Sequence, residues 1–69
     1  MSKDIKITYQ PLFNILEERG LNMERVIENT GLSYRTTAKL RKNQNVEVST
    51  LLKIADYLDV DISDLIKRL

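Results

Sequence analysis

Gly31, followed within two residues by Ser33, limits most severely what this chain can fold into. A stretch with helical periodicity lies on each side, residues 23–30 before it and 34–42 after it. Glycine supplies the left-handed backbone position that stops the first helix. Serine then caps a new helix almost at once. The second helix must therefore turn sharply against the first. Asn22 is a suitable cap for the first helix, and Leu21 can pack on Val26 as a hydrophobic staple.

The two helices differ in what they show to solvent. In the first, Met23, Val26, Ile27 and Thr30 share an arc of about 100°, with Glu24, Arg25, Glu28 and Asn29 outside it. In the second, Thr36, Thr37 and Leu40 point towards a core. Tyr34, Arg35, Ala38, Lys39 and Lys42 fill an opposite arc of about 140°, with no acidic residue in it. Charge is divided unevenly along the chain as well. The net value is only +1, but residues 33–53 hold Arg35, Lys39, Arg41, Lys42 and Lys53 against Glu47 alone. Such local asymmetry points to a polyanion-facing patch. A solvated helix face is the plainer alternative.

The remainder reads as further short helices. Helix 1 is expected over residues 9–19, with Thr8 as cap, Pro11 in the first turn and Gly20 as the stop. Helix 4 is expected over residues 50–58, with Ser49 as cap and Leu51, Ile54, Ala55 and Leu58 as its buried stripe. Asp61 caps a fifth helix that aligns Ile62, Leu65, Ile66 and Leu69, with Val60 stapled to Leu65. Residues 3–8 alternate polar and apolar as in a brief strand. With no second strand in view, three readings are open: a disordered arm, a packed extension, or half of an intermolecular ladder. The expected fold class is all-α: a compact five-helix domain over residues 9–69, preceded by an arm or strand over residues 1–8.

Composition removes several functions. The 69 residues include no cysteine and no histidine, so disulfides, thiolate metal sites and the commonest general base are excluded. No nucleophile–base pair or glycine-rich phosphate loop is visible, and no enzyme or cofactor is expected. Asp56, Asp59, Asp61 and Asp64 lack the glycine and closing glutamate of a calcium loop. No apolar run approaches the ~20 residues of a membrane span, and no secretory h-region opens the chain. A cytoplasmic protein of prokaryotic or phage origin is expected, without a small-molecule effector.

The string from Leu21 to Ser33, followed by Thr36-Thr37-Ala38-Lys39-Leu40, resembles the helix-turn-helix of the phage repressor and Cro (XRE-like) family. Leu51-Leu52-Lys53-Ile54-Ala55 and Asp61 to Ile66 resemble that family's fourth and fifth helices, so the likeness covers about residues 9–67. It implies a five-helix fold that binds operator DNA as a homodimer, with helix 3 in the major groove. Carried over by position, the base contacts fall on Tyr34, Arg35 and Lys39. The family favours glutamine where this chain has Met23 and an aliphatic residue where it has Thr37.

Arg35 suits guanine, because a guanidinium can bridge O6 and N7. Lys39 suits a base or a phosphate. Tyr34 suits a thymine methyl, a phosphate, or a place on its own helix surface. Thr36, Arg41, Lys42, Asn43 and Lys53 are candidate phosphate contacts. The resulting expectation is a sequence-specific transcriptional regulator. The alternative is a protein-interaction module on the same fold, such as an antitoxin, an antirepressor or another phage-derived factor.

Overall fold

The computed structural model describes residues 6–69. Residues 3–5 of the expected N-terminal strand lie outside them. The order is β1 (Ile7–Thr8), α1 (Gln10–Glu18), α2 (Met23–Thr30), α3 (Tyr34–Arg41), α4 (Val48–Leu58), a 3-10 turn (Ile62–Asp64) and β2 (Lys67–Arg68). Four helices thus surround one core, and a two-stranded ladder closes the chain.

The helix stops share one chemistry. Gly20, Asn43 and Asp59 take positive φ values of 67°, 55° and 58°. At each, two backbone N–H groups turn back to the last carbonyls of the helix, as from Leu21 to Leu16 and from Gln44 to Lys39. Gly31 (φ 76°) closes α2 through one bond to the Ile27 carbonyl. At the start of α2 the Asn22 Oδ1 accepts from the Arg25 N–H at 2.9 Å, as its sequence position predicts.

Other caps differ from expectation. Ser33 stands at the cap of α3, but its hydroxyl lies 3.4 Å from the Thr36 hydroxyl and caps no N–H. Helix α4 begins at Val48, two residues early, so Glu47 rather than Ser49 precedes it. Helix α1 begins one residue late, so Tyr9 rather than Thr8 stands at its cap, although the Thr8 hydroxyl still accepts from the Gln10 N–H at 3.1 Å.

The fifth helix is not formed. Asp61 and Asp64 make a reciprocal capping box around a single 3-10 turn, after which the chain extends. A continuing helix would join the Leu69 N–H to the Leu65 carbonyl. Here the Leu65 carbonyl instead accepts from the Leu12 N–H of α1 at 3.3 Å, and the Leu69 N–H donates to Lys6 at 2.8 Å. Ile7 pairs with Arg68 and Thr8 with Lys67 in antiparallel register. The strand partner missing from the sequence reading is therefore the chain's own C-terminal end. Leu69, expected on a buried stripe, is exposed.

The core is aliphatic apart from Tyr9. Leu12 and Leu16 of α1, Met23 and Val26 of α2, Leu40 of α3, Leu51, Ile54, Ala55 and Leu58 of α4, and Leu65 pack around it. The start of α1 shows how fully local polarity is satisfied: Gln10 N–H finds Thr8, Pro11 has no N–H, Leu12 N–H finds Leu65 and Phe13 N–H finds Tyr9.

Thr37 is the exception, with its hydroxyl buried and lacking any hydrogen-bond partner. It does not bond back within α3. Replacing that hydroxyl by a methyl removes an unmet polar group at nearly constant shape. Thr37→Val is expected to stabilise the fold by about 1–2 kcal/mol, raising Tm in a thermal melt by roughly 4–8 °C per kcal/mol. An unchanged or lower Tm would show that the hydroxyl has a partner in solution.

Candidate nucleic-acid interface

Helix α3 is amphipathic with very little core contact. Only Thr37 and Leu40 are buried, while Tyr34, Arg35, Ala38, Lys39, Arg41 and Lys42 are exposed. Its position follows from what surrounds it. Gly31 and the Ser33 cap set its start, and the left-handed Asn43 sets its end. Tyr9, at the head of α1, then fixes that end from outside. Its backbone N–H donates to Asn43 Oδ1 at 3.0 Å and its phenol donates to the Gln44 carbonyl at 2.8 Å.

This arrangement qualifies the role expected for Asn43. Its Oδ1 accepts from the Tyr9 N–H, which fixes the side chain in place and leaves its Nδ2 hydrogens as donors for a phosphate. Thr36 is half-buried with its hydroxyl beside Ser33. Arg35 and Lys39 are exposed on α3 and do not line the hollow described next.

Between the start of α2 and the length of α3 lies an open hollow of about 600 Å³. It is lined by the buried Met23, Ile27 and Thr37 and by the exposed Glu24, Tyr34, Ala38, Arg41 and Lys42. Arg41 also borders a second hollow towards α1, with Thr8, Gln10, Phe13 and Asn43. Tyr34, Arg41 and Lys42 are thus brought together. Lys53 is not among them. It borders a separate hollow with Asn29, Thr30, Asp56 and Tyr57, where no residue of α3 takes part.

Sequence reasoning placed Met23 and Ile27 on the buried arc and so missed that they also line an open surface. Leu21 and Met23 both flank a cap, and nothing in their spacing separates a core floor from a groove floor. The Tyr9–Asn43 link was likewise invisible, since it joins residues 34 positions apart.

Electrostatically, the exposed arc of α3 is cationic from Arg35 round to Lys42, and Glu24 is the one acid that lines the hollow. Among the described residues no group of three or more His, Cys, Asp or Glu side chains could hold a metal ion. No helix is long and apolar enough to cross a membrane.

Comparison with known proteins agrees with this fold. A family model described as the Cro/C1-type helix-turn-helix DNA-binding domain matches residues 12–68. No curated protein matches the chain. Among solved structures, the chain is similar to the crystal structure of the transcriptional regulator VanUg (form II), with 35% sequence identity and a TM-score of 0.92. That likeness covers 99% of this chain and 91% of the other.

Proposed function

The chain belongs to the Cro/C1-type helix-turn-helix DNA-binding family, and from that premise we propose that it is a homodimeric, sequence-specific transcriptional regulator that reads the major groove with α3. The observation that carries this reading is the exposed, acid-free arc of α3, on which the side chains of Arg35 and Lys39 take part in none of the described hydrogen bonds. Arg35 takes a guanine edge, Lys39 a base or adjacent phosphate, and Tyr34 the base step beside them. Arg41 and Lys42 hold phosphates from the far end of the helix, with the Asn43 amide beside them, while Thr36 supports the start of the helix. Lys53, on its own face of α4, contributes general attraction. Two copies place their recognition helices about one helical turn apart, roughly 34 Å.

Selection of bound sequences from random duplex DNA tests this. An enriched motif with two related halves is expected. Arg35→Ala should weaken binding to it by roughly 5- to 150-fold and relax the preference at one base position. Lys39→Ala should weaken binding and flatten the salt dependence. No enriched motif, or full affinity in both variants, would sink the reading. Sedimentation across a concentration series checks the dimer.

A second reading rests on Val48 and Leu52, which lie one turn apart on α4 and are exposed. They suit a protein-docking module on the same fold. A stable protein partner lost in Leu52→Asp, together with failure of the DNA selection, would favour it.

A further inference from the structure

Helices α1 and α2 stop at glycines in the left-handed region, Gly20 and Gly31, whereas α3 stops at Asn43 in the same conformation. Glycine takes that backbone freely, while a residue with a side chain is strained in it. Stopping the helix therefore does not account for an asparagine. Its side chain does something a glycine cannot. Asn43 Oδ1 accepts at 3.0 Å from the N–H of Tyr9, a residue 34 positions away. Tyr9 stands at the cap of α1, where a backbone N–H has no carbonyl of its own helix to reach. The Tyr9 phenol then donates to the Gln44 carbonyl at 2.8 Å. One buried residue at the head of α1 thus grips two successive residues of the loop after α3.

Two cations stand immediately before that grip. Arg41 is the last residue of α3 and Lys42 is its C-cap. Arg41 and Asn43 line one hollow together with Thr8, Gln10 and Phe13 from the head of α1. Long side chains on a loose helix end must be ordered when they meet a polyanion. A helix end already fixed to the core carries less of that cost into binding.

We propose that Asn43 is a positioning residue for DNA binding: its bond to the Tyr9 N–H holds the end of α3 against α1 and so pre-sets Arg41 and Lys42 for the phosphates. This rests on the reading of α3 as the groove-reading helix. It gives Asn43 a role separate from any contact that its own amide makes.

The test uses the operator selected with the wild-type protein, and the variant Asn43→Gly. Glycine keeps the left-handed stop and removes only the acceptor, so the variant should melt close to the wild type. Its affinity should fall roughly 2- to 10-fold, the range for one long side chain left to be ordered at binding. The distinguishing signature is coupling. Arg41→Ala and Lys42→Ala should each cost less affinity in the Asn43→Gly background than in the wild type. Amide exchange at Tyr9, followed by NMR, should quicken in Asn43→Gly and stay slow in Asn43→Asp, which keeps an acceptor at this position. Wild-type affinity in Asn43→Gly overturns the inference and leaves the operator reading standing. Equal costs of the Arg41 and Lys42 substitutions in both backgrounds do the same, because Asn43 would then act on its own. So does a Tyr9 amide that stays protected in Asn43→Gly. Failure to select any motif with the wild type overturns both.

Discussion

Tyr9→Ala is expected to destabilise the fold by about 3–5 kcal/mol, the range for deleting a buried aromatic ring. A 69-residue chain has roughly 3–10 kcal/mol of stability in total, so much of the population should unfold near body temperature. Tyr9 is 1% exposed and lies in the core beside Leu12 and Leu40. It also joins the first helix to the loop that ends α3. Tyr9→Phe keeps the ring and the backbone bond to Asn43, and loses the hydrogen bonding of the phenol, chiefly its bond to the Gln44 carbonyl. Its cost should be about 1 kcal/mol. Urea titrations followed by circular dichroism separate the two.

The same side chain gives an alkaline signature. Burial pushes the Tyr9 phenol above its ordinary 10.0, opposed by a backbone hydrogen bond at Val46. The unfolded chain therefore releases this proton first. Tyr9's contribution is complete below pH 10 and declines as pH rises from there through the folded-state value. Stability of the wild type should fall more steeply above pH 10 than that of Tyr9→Phe. Parallel curves for the two proteins would show that the phenol is not desolvated.

Leu40→Ala is the second large effect, with an expected cost of about 2–5 kcal/mol. Leu40 is fully buried and is the one large apolar side chain with which α3 holds the core. Its neighbour in that task, Thr37, brings a methyl together with an unsatisfied hydroxyl. Removing the leucine side chain should loosen the whole helix, so DNA affinity and folding should be lost together. Arg35→Ala should lose affinity while melting like the wild type, because Arg35 is exposed. A Leu40→Ala protein with a wild-type urea midpoint would mean that α3 is anchored elsewhere.

The turn between α2 and α3 was legible because its determinants are local. Asn22, Gly31 and the spacing of Val26, Ile27 and Met23 act within one or two turns of backbone. The stripe of Leu51, Ile54, Ala55 and Leu58 was legible for the same reason and is buried throughout. The C-terminal end was misread because Ile62, Leu65 and Ile66 have spacing that suits either a helix or one turn followed by extension. What decides between them is distant: the Leu12 N–H competes for the Leu65 carbonyl, and Lys6 competes for the Leu69 N–H. A two-residue strand has no periodicity to detect, and its partners lie 59 and 61 positions away, Lys67 for Thr8 and Arg68 for Ile7. Within the site, the cationic arc of α3 could be read from a helical wheel. The open hollow could not, because it depends on how two helices cross.

Seen in time instead of space, the β1–β2 pairing orders the folding of the molecule. Each helix and each left-handed stop is closed by bonds between residues a few positions apart, which cost little chain entropy and form early. The bond from Leu69 to Lys6 closes almost the whole polypeptide into one loop, with only a handful of hydrogen bonds gained in return. It is expected to form late in folding and to open early, which amide exchange at Leu69 would show as low protection. Four residues before Leu69, the Leu65 carbonyl accepts from the Leu12 N–H, so the start of α1 is tied to the same C-terminal segment. Residues 6–8 and 67–69 thus fasten a body whose helices are each closed by their own local bonds.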